Sequence, residues 1–148
     1  MVKIYTIGFT KKNAEAFFEL LRDNNVKEIL DIRLNNASQL ACFAKGSDLE
    51  YFAKAILGIP YKHDLRFAPS KEIFDKNRAG KMSWSELTAE FEKLLAERNA
   101  KDIILKEYKD ELDGICLLCS EADAGHCHRS IIAGYIKNII PEAEIINL

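Results

Sequence analysis

Gly114-Ile115-Cys116-Leu117-Leu118-Cys119 is a short apolar run of buried-strand character, followed by a polar loop. From Cys127 to Ile140 the period changes. Ile131, Ile132, Tyr135, Ile136, Ile139 and Ile140 share one helical face, and Pro141 ends the helix. Glu144 to Leu148 then reads as another strand. A strand followed by a helix and a strand implies parallel pairing, because a parallel connection must cross back over the sheet.

The same alternation runs outward to the N-terminus. Val2 to Gly8, rich in β-branched residues, is a strand closed by Gly8. Asn13 or Thr10 can cap the helix that carries Ala14, Phe17, Phe18 and Leu21. Val26 to Ile32 follows the Asn24-Asn25 turn as a second strand. Ser47 and Glu50 have capping-box spacing ahead of Phe52, Ala53 and Ile56, and Gly58 suits the stop of that helix. Ile59 to His63 is extended, and Pro60 places it at a sheet edge. Pro69-Ser70 opens a short helix and Gly80-Lys81 breaks it. Ser83 and Glu86 form a second capping box before Leu87, Phe91, Leu94 and Leu95, and Asp102 to Asp113 fits a further helix. The expected fold is α/β and three-layered: a mostly parallel central sheet of about five strands with helices on both faces, in one domain over residues 1–148.

The 148 residues are 48% hydrophobic and hold few Gly or Pro, which excludes a disordered or collagen-like chain. A net charge of −2 argues against a general nucleic-acid coat. The basic residues cluster, however: between Lys62 and Lys81 stand Lys62, Arg66, Lys71, Lys76, Arg78 and Lys81 against three acids. That tract is either a solvated helix face or a guide for phosphates. Trp84 and Phe91, at helical spacing, are expected in the core. The N-terminal residues lack a signal-peptide pattern, and no apolar run approaches the ~20 residues of a membrane span. A cytoplasmic protein, with no membrane partner, is expected. Its cysteines Cys42, Cys116, Cys119 and Cys127 should then be thiols or metal ligands rather than disulfides.

Open parallel sheets bind ligands beyond the carboxyl ends of their strands. That rule singles out Gly8, Phe9 and Thr10 after the first strand, Asp31 and Arg33 at the second, Tyr61 and His63 at the third, and Cys119, Ser120 and Glu121 at the fourth. Asp31 and Arg33 share one strand face, as an ion pair or as site residues. The densest chemistry lies in His126-Cys127-His128-Arg129-Ser130, where a helix begins. Orphan N–H groups and the helix dipole favour an anion there and pull a cysteine toward thiolate. The milder reading has Arg129 salt-bridged to Glu121 or Asp31, the histidines capping, and Cys127 simply buried. Cys116 and Cys119, three apart on a strand, face opposite ways and cannot share a tetrahedral ion, so Cys116 is core. A metal held by Cys119, Cys127 and one of His63, His126 or His128 stays open. The tyrosine-phosphatase loop does not fit, since Gly125 stands where its arginine would be.

Ile4 to Gly8, Leu30 to Arg33, Tyr61, His63, Leu117 to Glu121 and Cys127 to Ser130, in this order, resemble the bacterial and archaeal proteins grouped as domain of unknown function 488. The resemblance implies an α/β domain with these residues around the crevice, and it implies no particular reaction. Many members carry His after the Thr-Ile-Gly segment where this chain has Phe9. If that His is a general base, His63 or His128 takes its part here, or the activity is absent.

The leading expectation is an enzyme acting on a small anionic molecule or nucleotide bearing phosphate or carboxylate. Cys119 or Cys127 would be the nucleophile, His128 or His63 the acid–base group, and Asp31 the orienting residue. Arg33 and Arg129 would hold the anion, with Gly8, His63, Glu121 and Ser130 lining the ligand site. The alternatives are a non-catalytic nucleotide or nucleic-acid binding module, and the metal-binding protein. No cofactor and no oligomeric state can be read from the residues.

Overall fold

The computed structural model describes residues 1–37, 41–121 and 124–148. Its five strands, β1 (Val2–Gly8), β2 (Glu28–Asp31), β3 (Tyr61–His63), β4 (Ile115–Cys119) and β5 (Ala143–Asn147), form one sheet. The order is β3-β2-β4-β1-β5, and every pairing is parallel. Among the described residues the α-helices are α1 (Ala14–Asp23), α2 (Gly46–Phe52), α3 (Lys71–Arg78), α4 (Trp84–Glu97), α5 (Ala100–Ile103) and α6 (His128–Ile139). This is the α/β architecture that the alternating periods imply, and no described helix is long and apolar enough to cross a membrane.

The strand pleat sorts side chains into two cores. Leu30, Ile32, Ile115 and Leu117 pack with Leu87, Phe91 and Leu95 of α4 and with Ile131, Ile132 and Ile136 of α6. Tyr5, Ile7, Ile29, Cys116 and Leu118 pack with Phe17, Phe18 and Leu21 of α1 and Leu49 of α2. The chain therefore leaves β1 and β2 toward one face of the sheet and leaves β4 toward the other. At the carboxyl end of β4 the flanking connections diverge to opposite faces, which opens a crevice there. Register keeps the three central strand ends level, Gly8 opposite Cys119 and Asp31 opposite Leu118.

Local signals behave as their chemistry requires, with one exception. The Asn13 side chain accepts from the Ala16 N–H and caps α1, while the Thr10 hydroxyl turns to the Ser120 carbonyl instead. Ser83 and Glu86 form the reciprocal box at α4, and Ser70 caps α3. The Ser47–Glu50 box does not form. The helix starts one residue earlier, at Gly46, whose N–H donates to the Asn36 carbonyl at 2.7 Å and removes the need for a serine cap. A side chain at Gly46 would run into Asn36 and the Tyr61 hydroxyl, so this entry requires glycine. α2 continues into a π-helical turn, Ala53–Leu57, which stops at Gly58 in the left-handed conformation (φ 67°). The expected helix at 102–113 is α5 followed by a second π-turn, Ile104–Tyr108. β3 is one of the two edge strands, shortened to begin after Pro60.

Asp64 ties this edge to the helical layer. It is 6% exposed, accepts from the Arg66 guanidinium at 2.8 and 2.9 Å, and takes the Tyr108 hydroxyl at 2.6 Å. Burial alone would raise its pKa; the Arg66 and Tyr108 hydrogen bonds outweigh burial and lower it. Stability from this carboxylate is therefore present above its unfolded pKa, about 3.9, and is lost as pH falls through the lower folded value. Asp64→Asn is expected to cost about 1–3 kcal/mol at pH 7 and to flatten the acid limb of stability below pH 4, read by urea unfolding at several pH values.

Candidate active site

Cys119 ends β4 on the α6 side of the sheet, and Cys127 is the residue from which α6 springs. Strand end and helix start bring their sulfurs to 2.6 Å, with Cys127 S–H directed at Cys119 Sγ. His128, the first residue of α6, sets its Nδ1 3.4 Å from Cys119 Sγ and 4.0 Å from Cys127 Sγ. Its Nε2 lies 2.9 Å from the Ile32 carbonyl. A carbonyl only accepts, so Nε2 carries a proton and Nδ1 is the atom that meets the sulfurs. The ring edge also packs against Phe91.

These contacts drive the two thiols apart in acidity. The Cys127 hydrogen bond is the largest influence on Cys119 and pulls its pKa well below the ordinary value against burial, helped by His128 and the Glu121 N–H. Cys127 is pushed up by donating to Cys119 and by its own burial. Burial disfavours a charged His128, but the Cys119 thiolate, the hydrogen bond to it and the Ile32 carbonyl together raise its pKa. Each of these shifts is in the direction of a Cys119 thiolate beside a His128 imidazolium, with Cys127 neutral. Cys116 lies in the opposite core, where burial raises its pKa, as a structural cysteine should.

Asp31 and Arg33 form a separate unit on the other face. Both are buried, and the guanidinium binds the carboxylate at 2.7 and 2.9 Å. Arg33 also donates to the Ala44 carbonyl and lies over the Phe9 ring. Its Nη1 is buried with no hydrogen-bond partner among the described residues. The Tyr61 hydroxyl donates to Asp31 at 2.5 Å and accepts from the Asn36 amide, and burial followed by the Asp31 contact raises its pKa. Asp31 thus orients Arg33 and Tyr61. The group that orients His128 is the Ile32 backbone. Phe9, standing where a histidine was looked for, is 2% exposed and packs against Arg33.

The remaining expected residues divide between the two units. His63 Nε2 donates to the Arg33 carbonyl at 2.6 Å, away from the sulfurs. His126 is exposed against Trp84, and Phe91 is fully buried core. Arg129 is fully buried and donates to the Glu121 carbonyl, so it holds the β4 loop by its backbone and not through the Glu121 carboxylate. Gly8 lies directly beneath that carbonyl, where a Cβ would collide with Glu121 and Arg129. Its glycine serves close backbone approach. The Ser130 hydroxyl bonds the Ala124 and Cys127 carbonyls. Residues 122 and 123 of the loop lie outside the described residues. Of the basic tract, Lys62 covers the Tyr108 ring, Arg66 binds Asp64 and Glu107, Lys71 pairs with Asp75 and Lys76 with Glu72.

Tyr61 stands among the expected crevice and family residues, whereas Asn36 and Lys12 carry no such signal in the sequence. Lys12 lies near Arg129: burial first, then the Arg129 charge, lower its pKa. A cation in a loop leaves no periodic mark that would identify it. The apolar hollow between α1 and α2, lined by Phe18, Phe43, Phe52 and Ile56, contains none of the cysteines or histidines of the site.

The family model described as "Domain of unknown function DUF488" matches residues 13–136. The chain belongs to that family. The match takes in Asp31, Arg33, Tyr61, His63, Cys119 and Cys127 to Ser130, and leaves β1 outside it. No curated protein and no solved structure matches the chain. Family membership therefore carries no reaction with it, and the chemistry rests on the geometry above.

Removing the Asp31 carboxylate strands a buried guanidinium. Asp31→Ala is expected to cost about 3–5 kcal/mol in denaturant unfolding. Because Asp31 does not touch the sulfur cluster, Cys119 alkylation in the protein that remains folded should be unchanged. A large change would show that the two units are coupled.

Proposed function

We propose that this protein is an enzyme in which Cys119 is a thiolate nucleophile and His128 its ion-pair and proton-transfer partner. The observation that carries the reading is the 3.4 Å approach of His128 Nδ1 to Cys119 Sγ with Nε2 fixed on the Ile32 carbonyl. Nucleophile, base and a third group that orients the base are the three parts of an activated thiol. The substrate would enter beyond the carboxyl end of β4, between the connections that leave β1 and β2. Arg129, Lys12 and the amino end of α6 make that approach electropositive, which favours a small molecule bearing phosphate or carboxylate. Cys119 is 4% exposed, so the group that reaches it is slender. A nucleotide-binding module without turnover would leave this thiol activation unexplained.

The reading is tested by the pH dependence of Cys119 alkylation with iodoacetamide, followed by peptide mass spectrometry. A lowered Cys119 pKa should keep the rate high down to pH 6. His128→Gln should cut the rate at pH 6 about 10-fold, by removing the charge and hydrogen bond that help the Cys127 S–H hold the thiol below its ordinary pKa of about 8.5. Wild-type protein whose Cys119 titrates near that ordinary value would sink the proposal.

One observation favours a second reading. Cys119 Sγ, Cys127 Sγ and a ring nitrogen of His128 all lie within 4.8 Å of one another. Two thiolates and an imidazole whose other nitrogen is held by a carbonyl suit a soft divalent metal such as zinc, with one position left for water or substrate. Elemental analysis of protein purified without chelator separates the readings. Stoichiometric zinc, iron or copper would favour the metal centre, and substoichiometric amounts would remove it.

A further inference from the structure

A hydroxyl could donate to Cys119 as a thiol does, yet the donor in contact with it is the sulfur of Cys127. The two sulfurs are 2.6 Å apart, and both residues are less than 5% exposed. They come from the end of a central strand and the start of a helix, both packed in the core, so the sulfurs face each other without a loop having to close. Cys116 is on the opposite face of β4, and Cys42 is exposed in the 3₁₀ turn Cys42–Ala44, whose Ala44 carbonyl binds Arg33 on that same opposite face. Neither competes for Cys119.

Resting on the thiolate reading of Cys119, we propose that Cys119 and Cys127 are the attacking and resolving members of a reversible disulfide formed with a hydroperoxide. In the first step Cys119 S⁻ attacks the terminal peroxide oxygen. The S–O bond forms, the O–O bond breaks, and the departing alkoxide or hydroxide takes the proton of the His128 imidazolium. The product at Cys119 is a sulfenic acid. In the second step Cys127 S–H passes its proton to the now neutral His128, whose Nδ1 is 4.0 Å away, and attacks the sulfenic sulfur. The S–S bond forms, the S–O bond breaks, and the hydroxide leaves as water with that proton. Two thiols lose two electrons, and the peroxide gains them to become an alcohol, or water, plus a second water. A low-molecular-weight thiol reverses the step by thiol–disulfide exchange. The consequence for the site is a two-electron switch: pairing removes the nucleophile, and it protects Cys119 from irreversible oxidation.

The test uses the full chain, reduced and freed of reductant, with hydrogen peroxide as the probe. Stoichiometric peroxide should lower the intact mass by about 2 Da and reduce the titratable thiols from four to two. Cleavage after Glu121 separates the two cysteines, so the product should appear as a crosslinked pair of peptides that dithiothreitol releases. Cys127→Ser keeps a hydrogen-bond donor beside Cys119. It should stop at the sulfenic acid, captured by a 1,3-dione, with no loss of mass. Cys119→Ser should leave Cys127 unoxidised at the same peroxide concentration. If wild-type Cys119 alkylates rapidly at pH 6 but peroxide carries it to sulfinic acid, or links it to Cys116 or to a second chain, the disulfide proposal is overturned and the nucleophile stands. If Cys119 is slow toward both reagents, both fail together.

Discussion

The hydrogen bond from His128 Nε2 to the Ile32 carbonyl sets the chemistry of the sulfur cluster. It joins the first residue of α6 to the backbone just past β2, across the end of β4. It also settles which ring nitrogen faces the sulfurs, because the carbonyl can only accept. Without it the imidazole could rotate, and neither the proton position nor the distance to Cys119 would be defined. β2 is anchored in turn: the Ile32 N–H donates to the Leu118 carbonyl, and His63 donates to the next carbonyl, that of Arg33. Two histidines from different elements thus clamp consecutive carbonyls of one strand end. The geometry of the sulfur cluster is inherited from the sheet register.

The same region solves an electrostatic problem. A thiolate at Cys119, which is 4% exposed, would have to be compensated locally, since water is largely excluded. Cys127 S–H, the His128 imidazolium and the Glu121 N–H share that task, which is why the two cysteines move in opposite directions in acidity although both are buried. Arg129, the residue after His128 in the first turn of α6, is fully buried and holds the Glu121 carbonyl. It fixes the loop whose N–H faces Cys119. Gly8 allows that loop to lie against β1.

Much of the architecture was legible because it follows from period. The apolar run at 114–119, the helical face from Ile131 to Ile140 and the β-branched segment at 2–8 each have one economical reading. The parallel sheet follows from their order. The crevice rule likewise brought Cys119, Cys127, His128 and the ends of β1 and β2 to the same end of the molecule. What sequence could not resolve was which face each residue occupies beyond the strand end. Asp31 and Cys119 are near one another along the sheet edge, yet the pleat sends Asp31 toward Ala44 and Phe9 and Cys119 toward α6. Asn36 was invisible for another reason. Its bond to Tyr61 depends on how a loop folds back, which no local pattern encodes. The Ser47–Glu50 spacing was a genuine local signal overruled by the Asn36 carbonyl, a long-range acceptor that started the helix at Gly46.

The Asp31–Arg33–Tyr61 unit buries a charged pair and needs its own physical reason. Burying a charged pair gains little over an apolar pair of the same shape, so net stability does not account for it. Its geometry does. Arg33 reaches across to the Ala44 carbonyl, and Tyr61 and Asn36 tie β3 to the loop that begins after β2. An apolar replacement would fill the space and leave the carbonyl of Ala44 and the amide of Asn36 without these partners. The unit fixes the path of the chain as it leaves β2, and the carbonyls of Ile32 and Arg33 lie on that path.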